Sequence, residues 1–420
     1  MKHASRLSPS TRSRRQERAP IHIDTPASRA RVRPAGTPSL LRSHNDRLTL
    51  DFIFDHGPIS KTEVGAGTNI SKPTVGQSLS RLAELGLVAE SGMRVGGVGR
   101  APTLFEVDPR VGSMILVEVG TELVHGIGVT IAGEYTPEVQ VQPSGRDIVD
   151  VIRELRDELI TGLPETTFGH TLVLGLSGAY DAVADHVRHG AHMAPRVAGL
   201  QRPGLGARLR EAFGPVVAVE NDVNLVALAE HAEGVTAGTS TSVLFWADTG
   251  VGAASLIDGR ILRGATGSAG EMAFLPVSST ARTPDDGEGG FQRWAGGVAL
   301  AALGRTFGLT GTTRRMITTA TSDSARYGSF LDAVAERYAQ AIGSLIAVLD
   351  PEVVALSGAY ALAGGEELAR RIRVAVDEQA IRAVPVKLGA FTESPVLTGA
   401  EVLARRLHRA ALLDRVGPAA

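Results

Sequence analysis

The sequence predicts an α/β protein in which a small N-terminal winged helix-turn-helix precedes a two-lobed α/β body. Two observations lead to this fold class. Short helical patterns followed by a glycine-rich hairpin fill the first quarter of the chain, and the remainder contains two similar strand-and-glycine segments separated by helical patterns. A length of 420 residues allows more than one hydrophobic core, and 43% hydrophobic residues can fill them.

Charge is distributed unevenly along the chain, whose formal net charge is -2. Residues 1–108 carry 16 Lys and Arg against 10 Asp and Glu, whereas the remainder carries 27 against 35. A basic front end joined to an acidic body suggests that the first part meets a polyanion. The absence of cysteine excludes disulfides, thiolate nucleophiles and cysteine-ligated zinc. No apolar run reaches the ~18 residues of a membrane span and the start lacks a signal core, so we expect a cytoplasmic protein without a membrane partner.

Residues 1–40 are predicted to form a disordered basic tail. Ser, Pro and Arg dominate this segment, and no apolar period typical of a helix or a strand persists in it. Its arginines could touch DNA phosphates without reading sequence. A solvated tail, or an over-long start of the reading frame, explains the same composition more simply.

Residues 41–108 show the pattern of three short helices and a hairpin. Leu48 and Phe52, with Phe54 as a further candidate, mark the buried face of the first helix, and ISKTEVGAGTNI indicates a second helix weakened by its glycines. The third helix, in SKPTVGQSLSRLAELGLV, can be capped by Ser71. Its expected buried stripe consists of Val75, Leu79, Leu82 and Leu85.

The opposite face of the third helix carries short polar and basic side chains that fit base edges and phosphates in a major groove. A basic, glycine-rich hairpin follows, as in the wing of a winged helix. The predicted DNA-contacting residues of the helix and the hairpin are Lys72, Thr74, Gln77, Ser78, Arg81, Arg94 and Arg100. The alternative is a small helical bundle whose polar stripe is merely solvated, but the order of elements favours DNA binding.

The body, predicted to span residues 112–410, contains one pattern twice. SMILVEVGTELVHGIGVTIAGEY and TSVLFWADTGVGAASLIDGRIL each show an apolar strand that ends near an acidic residue and a glycine, a return strand, a tight glycine turn and a third strand. Helical segments such as DIVDVIRELRDELI alternate with the strands, which is typical of layered α/β architecture. Two similar lobes are therefore predicted, with a ligand bound in the cleft between them.

These motifs resemble the ROK family (repressor, open reading frame, kinase) over about residues 41–410. The resemblance rests on the strand-and-glycine motif at residues 115–121 and on ENDVNLVALAE, DTGVGAASLIDGRILRGATGSAGEMAF and VVALSGAYALAGG, which occur in the family's order. It implies a two-lobed, actin-like (ribonuclease H-like) ATPase and sugar-kinase fold. With the winged helix in front, the whole chain is similar to the family's sugar-responsive repressors.

The stretch VAVENDVNLVALAE contains the main candidate ligand residues, Asn221 and Asp222. From the residues alone, Asp222 at the end of an apolar run can be a catalytic base, a ligand anchor or part of a helix cap. The resemblance implies that Asp222 matches the aspartate that accepts a proton from the sugar hydroxyl in the family's kinases. It also implies that Asn221 holds a neighbouring hydroxyl and that Glu271 contacts the sugar.

The sequence departs from the family's active members after Glu271. Phe274 stands where they have a histidine, the cysteine-rich zinc loop is missing, and Arg293 stands at the position of a glutamate that reaches the sugar. A metal site is therefore not expected. Phe274 offers a face that can stack on a sugar ring, and Arg293, pointing inward, would favour an anionic ligand such as a phosphosugar. Alternatively, Arg293 pairs with a loop carboxylate and the cleft is empty.

The nucleotide side of the resemblance is mixed. The residues that match the family's nucleotide motifs, which we interpret as vestigial and structural, are Gly120, Asp248, Thr249, Gly250, Gly252 and Gly358. Glu118 stands where the kinases have an aspartate, and Glu122 falls near the position of a hydroxyl donor. A carboxylate near a triphosphate adds repulsion unless a metal bridges it, so no cofactor is expected.

Two functions remain open, and a third would be a DNA-binding protein whose body only oligomerises. The first is a transcriptional regulator, a repressor of carbohydrate metabolism, that binds an operator in double-stranded DNA and senses a sugar or phosphosugar. The second is an ATP-dependent sugar kinase with an accessory DNA-binding arm, in which Asp222 would be catalytic. The basic front end and the altered phosphate and zinc motifs favour the regulator, which we expect not to be an enzyme. A homodimer or homotetramer would match palindromic half-sites.

Overall fold

The N-terminal unit, which we define as the described part of residues 38–108, combines three helices with a small antiparallel sheet. In chain order its elements are α1 (Pro38–His56), β1 (Ile59–Ser60), α2 (Lys61–Thr68), α3 (Lys72–Glu84), β2 (Val88–Met93) and β3 (Thr103–Val107). Strand β3 lies between β1 and β2. The computed structural model describes residues 38–93, 101–120, 122–188, 197–277 and 289–417. Residues 1–37 of the predicted tail lie outside the described residues.

Side-chain caps begin the second and third helices. Ser60 and Glu63 form a reciprocal capping box at the start of α2. The glycines of α2 have a packing role, because the ring of Phe52 from α1 leaves no room for a Cβ on Gly67. The predicted cap of α3 is confirmed, since the side chain of Ser71 accepts a hydrogen bond from the third residue of that helix.

The buried face of the N-terminal unit differs from the prediction at two leucines. In α1 the buried apolar residues are Leu50 and Ile53, whereas Leu48 is exposed. Two residues correspond to a turn of about 200° on a helix, so Leu48 lies away from the face that Leu50 occupies. The stripe of α3 is buried as far as Leu82, but Leu85 is 48% exposed because it is the C-cap residue at which the helix ends.

The first lobe of the body is a five-stranded sheet with the order β10-β7-β4-β5-β6. Its strands are β4 (Ser113–Val119), β5 (Val124–Thr130), β6 (Val139–Val141), β7 (His170–Leu176) and β10 (Val217–Asn221). The helices of this lobe are α4 (Ile148–Leu159) and α5 (Leu205–Phe213), and a hairpin is formed by β8 (Ala179–Asp181) and β9 (His186–Arg188). Helix α4 covers the sheet with a continuous apolar face.

The second lobe repeats the strand arrangement of the first. Its sheet order is β13-β12-β11-β14-β15, and in both lobes the first strand pairs antiparallel with the second and parallel with a later strand. The strands are β11 (Thr241–Ala247), β12 (Val251–Ile257), β13 (Arg260–Ile261), β14 (Val353–Ser357) and β15 (Val386–Leu388). The helices are α7 (Gly290–Ala295), α8 (Gly297–Thr306), α9 (Thr313–Ser322), α10 (Ser324–Leu349) and α11 (Ala359–Asp377). The predicted pair of similar lobes is confirmed.

Two helices lie between the lobes. Helix α6 (Asp222–Glu233) and helix α12 (Pro395–Arg415) bury apolar side chains in one cluster together with residues of both sheets. Helix α12 continues past the predicted body end at residue 410, and its last turns pack on the N-terminal unit. Within the described part of the chain, we find no helix whose length and apolar character would suit a membrane crossing.

Candidate ligand cleft and nucleic-acid interface

The predicted ligand side of the cleft lies where strand β10 ends and helix α6 begins. Asn221 is the N-cap of α6, and its side-chain oxygen accepts a hydrogen bond from the backbone nitrogen of Asn224 at 3.1 Å. Its amide nitrogen donates to the carbonyl oxygen of Gly178 at 3.3 Å. The helix-cap role of Asn221 is therefore observed, and any ligand contact has to coexist with it.

Asp222, the first residue of α6, carries the most perturbed carboxyl group of the cleft. Its Oδ1 accepts a hydrogen bond from the backbone nitrogen of Val223 at 2.8 Å. Burial, together with repulsion from the carboxylates of Glu118 and Glu271, raises the pKa of Asp222 to about 7. A carboxyl group with a pKa this far above its ordinary value can carry a proton near neutral pH, so it can donate or accept a hydrogen bond.

A buried carboxylate that the sequence analysis missed organises this end of the cleft. One oxygen of Glu220 accepts two hydrogen bonds from Arg263, at 2.9 and 2.6 Å. The other oxygen accepts from the side chain of Asn224 at 2.8 Å and from the backbone of Asn221 at 3.0 Å. Arg263 lies in the loop that leads to Glu271. Glu220 therefore connects that loop, through hydrogen bonds, to the start of α6 at Asn221 and Asn224. The signal in the sequence was a glutamate inside an otherwise apolar strand.

The remaining predicted ligand residues lie in the second lobe. Glu271 directly precedes the short 3-10 turn Met272–Phe274, and the side chain of Phe274 is 44% exposed. Arg293 belongs to α7, which packs on that turn. Glu271 is close enough to Asp222 to repel it, whereas contact of Phe274 or Arg293 with a ligand stays a prediction.

On the nucleotide side, side chains of the protein itself form hydrogen bonds with the backbone of the DTGVG motif in the second lobe. The carboxylate of Asp248 accepts hydrogen bonds from the backbone nitrogens of Thr249 at 2.7 Å and of Ala359, the first residue of α11, at 3.3 Å. Gln292, a second residue that the sequence analysis missed, accepts from the nitrogen of Val251 at 3.1 Å and donates to the carbonyl oxygen of Thr249 at 2.9 Å. A backbone donor at a helix start, which a phosphate could use, is thus capped by a carboxylate.

The glycines of the nucleotide motifs do not share one explanation. Gly358 has a φ of 91°, and a Cβ there would lie 2.5 Å from the carbonyl oxygen of Ala247, so the backbone itself requires glycine. Gly120 and Gly252 meet one neighbouring atom each, at 3.0 and 3.5 Å. Gly250 has no atom within 4 Å of the position of a Cβ. Gly358 therefore has a steric reason to be glycine, whereas Gly250 has none.

In the corresponding motif of the first lobe, a histidine lies beside the carboxylate of Glu118. The Nε2 atom of His125 lies 3.4 Å from Glu118, and its Nδ1 lies 2.9 Å from Glu138. Glu118 is the larger of the two causes that raise the pKa of His125. Among the described residues, no group of three His, Asp or Glu side chains is arranged to hold a metal ion.

The exposed face of α3 forms the candidate nucleic-acid interface. Lys72 and Gln77 are exposed and Thr74 is partly exposed, as the sequence analysis requires of DNA-contacting residues. The side chain of Lys61, from the first turn of α2, lies across Gly76 of α3. Lys61 therefore adds a positive charge to this surface that the helical pattern of α3 alone could not reveal.

Of the predicted DNA contacts on α3, Ser78 needs correction and Arg81 has a partner within the unit. Ser78 is 0% exposed, because it faces the helical core of the unit and not solvent. Arg81 donates two hydrogen bonds to the carboxylate of Asp46, at 2.8 and 2.6 Å, and so holds α3 against α1. Arg94 and Arg100 lie outside the described residues, and their predicted contacts are not addressed by the structure.

Comparison with known proteins gives one family and several named relatives. The model of the ROK family matches residues 114–406. A xylose repressor of Caldicellulosiruptor bescii is 24% identical over 363 residues, which cover 82% of this chain and 90% of that protein. The DNA-binding transcriptional dual regulator NagC of Escherichia coli is 24% identical over 263 residues, covering 60% of this chain and 61% of that protein.

Two solved structures show the same fold. A ROK family transcriptional regulator, described as a homologue of the Escherichia coli MLC protein, superimposes with a TM-score of 0.72 at 19% identity and covers 90% of this chain and 99% of that one. A ROK family glucokinase from Streptomyces griseus superimposes with a TM-score of 0.57 at 22% identity over 70% of this chain and 100% of that one. The two-lobed body therefore has the actin-like α/β fold of ROK sugar kinases.

Proposed function

The chain belongs to the ROK family, and we propose that it is a sugar-responsive transcriptional repressor. In this proposal residues 41–108 are a winged helix-turn-helix, residues 112–410 form the effector-binding and oligomerisation body, and residues 1–40 are a basic tail. The observation that carries the proposal is the capped helix α3 with its exposed polar face. This helix stands in a chain that is similar to a named xylose repressor over 82% of its length. A repressor acts where the DNA is, so we place the chain in the cytoplasm.

On the DNA side, α3 enters the major groove. Lys72, Thr74 and Gln77 reach base edges or phosphates there, and Lys61 contacts the phosphate backbone beside them. Arg81 has a different role, since its pairing with Asp46 fixes the angle between α3 and α1. A homodimer or homotetramer would present two such helices to a palindromic operator.

On the effector side, the cleft binds a sugar or phosphosugar through Asn221, Asp222 and Glu271. A carboxyl group with a pKa near the ambient pH can serve as donor or acceptor, which suits a hydroxyl group that needs both. The related proteins are named after xylose and N-acetylglucosamine, and these sugars are the first probes to use. Phe274 and Arg293 are the residues we propose to select among sugars.

The alternative, an ATP-dependent sugar kinase, is favoured only by the retained Asn221, Asp222 and Glu271. On the nucleotide side, Asp248 already caps α11 and Glu118 is held by His125. Each of these carboxylates repels a phosphate placed next to it. We therefore expect phosphorylation of hexoses and their N-acetyl forms to be negligible beside the usual enzymatic median of about 10 per second.

Gel shifts with a DNA fragment from the chain's own promoter region test the proposal. Lys72→Ala and Gln77→Ala should each weaken specific binding by roughly 1–3 kcal/mol, because each removes a contact to base edges or phosphates. Lys387→Ala is the matched control, since Lys387 is exposed on β15 of the body. Binding should also weaken steeply with salt. Binding that survives both α3 substitutions unchanged would refute α3 as the reading helix.

A coupled assay with ATP and the same sugars separates the two functions. The repressor predicts that a sugar changes the DNA affinity without being phosphorylated. Turnover near the median rate, lost in Asp222→Asn, would instead establish the kinase and identify Asp222 as its base.

A further inference from the structure

Helix α12 is in backbone contact with α6, the helix that begins at the ligand side of the cleft. The carbonyl oxygen of Leu225, one turn into α6, approaches Gly399 of α12 so closely that a Cβ on Gly399 would have no room. Val396, one turn earlier in α12, is buried in the same cluster as Leu225. Contact between backbone atoms leaves no rotamer change that could absorb a shift, so α6 and α12 have to move together.

The other end of α12 belongs to the core of the N-terminal unit. Leu412 is 1% exposed and shares a hydrophobic cluster with Leu50 of α1. Arg47 of α1 donates hydrogen bonds to the carbonyl oxygens of Leu413 at 2.7 Å and of Gly417 at 2.8 Å. The last turns of α12 therefore form part of the core of the N-terminal unit, although they are far from that unit in the sequence.

Arg409 is the principal polar contact at this junction. Its guanidinium donates to the carboxylate of Asp51 at 2.7 Å and to that of Asp55 at 2.6 and 2.9 Å, and it lies 5.5 Å from the centre of the Phe54 ring. Between Gly399 and Arg409 the helix advances about 15 Å. A small tilt of α12 at Gly399 is therefore carried to α1 as a displacement of its contact residues.

The covalent connection between the N-terminal unit and the body is held by α12 as well. The connection runs from the end of β3 to the start of β4 and includes Gly112. His408 is buried, its Nδ1 lies 2.9 Å from the hydroxyl group of Thr171, and its ring leaves no room for a Cβ on Gly112. The connection therefore cannot swing independently of α12.

We propose that α12 is the transmission element between the ligand cleft and the N-terminal unit. A ligand that shifts α6 shifts α12 through the contact at Gly399, and α12 reorients the unit that carries α3 through Arg409 and Leu412. The biological meaning of this inference rests on the proposed function. Coupling between two such sites typically changes an affinity by about 5- to 150-fold.

The first test removes the charge at position 409 in the full-length chain. Arg409→Gln is compared with Arg406→Gln, because Arg406 is exposed on the same helix and donates a hydrogen bond to the body, at the carbonyl oxygen of Gly259. Gel shifts with the promoter fragment, with and without D-xylose or N-acetylglucosamine, give the ratio of the two DNA dissociation constants. We expect a ratio of about fivefold or more in the wild type and in Arg406→Gln. In Arg409→Gln the ratio should approach one while calorimetry still detects the sugar; an unchanged ratio would overturn the proposal.

The second test needs neither DNA nor sugar. Hydrogen exchange is measured in the full-length chain for peptides from α1 and from α6. Arg409→Gln should accelerate exchange several-fold in both helices, and Arg406→Gln in neither. Acceleration confined to α1 would overturn the mechanical link. If the wild type binds neither DNA nor either sugar, the proposed function fails, and the exchange result still decides whether α12 connects the two regions.

Discussion

The two ends of the cleft differ in how their carboxyl groups are satisfied. At the ligand end, Asp222 accepts one hydrogen bond from the backbone beside it and is repelled by two carboxylates. At the nucleotide end, Asp248 bonds two backbone donors and Glu118 is held by His125. One end therefore retains hydrogen-bonding capacity for a ligand, whereas the other has used that capacity within the protein.

At the nucleotide end, the two carboxylates occupy the same topological position in the two lobes. The turn after β4 and the turn after β11 are equivalent, because their sheets have the same strand arrangement. Each turn has a carboxylate near it where a polyphosphate would need positive charge or backbone donors. Two regions with the same strand arrangement can therefore differ in how their carboxylates are hydrogen-bonded, and the difference is visible in the hydrogen-bond partners and not in the topology.

The largest expected effect is a difference in unfolding free energy between alanine variants of two glycines at the nucleotide end. Gly358→Ala should reduce the free energy of unfolding by about 3 kcal/mol, since it combines a positive φ with a Cβ 2.5 Å from a backbone oxygen. Gly250→Ala should change it by less than about 0.5 kcal/mol, because that site is open. Urea unfolding of the full-length variants measures both values.

The same pair of variants tests whether the nucleotide end is vestigial. Gly250→Ala should leave the effect of a sugar on DNA binding unchanged. Loss of that effect in a variant of normal stability would show that the open space at Gly250 receives a ligand, and the contrast between the two ends of the cleft would fail.

The next effect concerns the ion pair that organises the ligand end. Arg263→Ala leaves the buried carboxylate of Glu220 without its cation. Removing one partner of a buried pair costs about 3–5 kcal/mol, but the side chain of Arg263 is 49% exposed, so screening reduces our expectation to about 2 kcal/mol. Arg260→Ala, on the exposed strand β13, is the control and should be neutral.

Calorimetry on the same variants gives a second readout. Because Glu220 holds Asn221 and Arg263 holds the loop before Glu271, Arg263→Ala should also weaken sugar binding. A variant that loses stability but binds the sugar with wild-type affinity would reduce the pair to a purely structural role.

The third effect depends on pH and isolates Asp222. The folded-state pKa of about 7 lies above the ordinary value of 3.8, so the folded protein retains this proton up to a higher pH than the unfolded chain does. Its contribution to stability is therefore lost as the pH rises from about 4 to about 7 and is constant above that range. Asp222→Asn, which does not titrate, should be nearly equal to the wild type in stability at pH 4 and should become more stable than it by up to about 1.4 kcal/mol for each pH unit between about 4 and about 7.

Urea unfolding at a series of pH values measures this difference. A difference that does not change with pH would mean that the Asp222 carboxyl group has an ordinary pKa, and the ligand end would lose the property that distinguishes it. Greater stability combined with loss of sugar binding would be the expected compromise between stability and function.

Local signals in the sequence were sufficient for the elements and the lobes. The cap at Ser71 depends only on a few neighbouring residues. The repeated strand-and-glycine pattern predicts two similar sheets, and reading it requires no knowledge of contacts between distant segments. The candidate ligand residues Asn221 and Asp222 were singled out because they directly follow an apolar run, and the resemblance to the family supplied their predicted roles.

Contacts between distant segments could not be read from the sequence. Helical periodicity placed Ser78 and Arg81 on a polar face, but only the packing of α1 shows that Ser78 is buried and that Arg81 pairs with Asp46. The pairing of Glu220 with Arg263 and the insertion of Leu412 into the N-terminal unit likewise depend on which apolar faces meet. An apolar pattern predicts that a face is buried, but it does not predict which other segment packs against that face.

The smallest expected effect concerns the charge of the ligand. Arg293, if it points inward, favours a phosphosugar, whereas the carboxylates of Glu118 and Glu271, which repel Asp222, disfavour any anion near them. Because Asp222 lies close enough to both glutamates for its pKa to respond, we expect the carboxylates to dominate. N-acetylglucosamine should bind about fivefold more tightly than its 6-phosphate, which corresponds to roughly 1 kcal/mol. Calorimetry with both ligands on the wild type and on Arg293→Gln measures this preference. Tighter binding of the phosphate that disappears in Arg293→Gln would reverse the assignment, and the guanidinium, not the carboxylates, would set the ligand class.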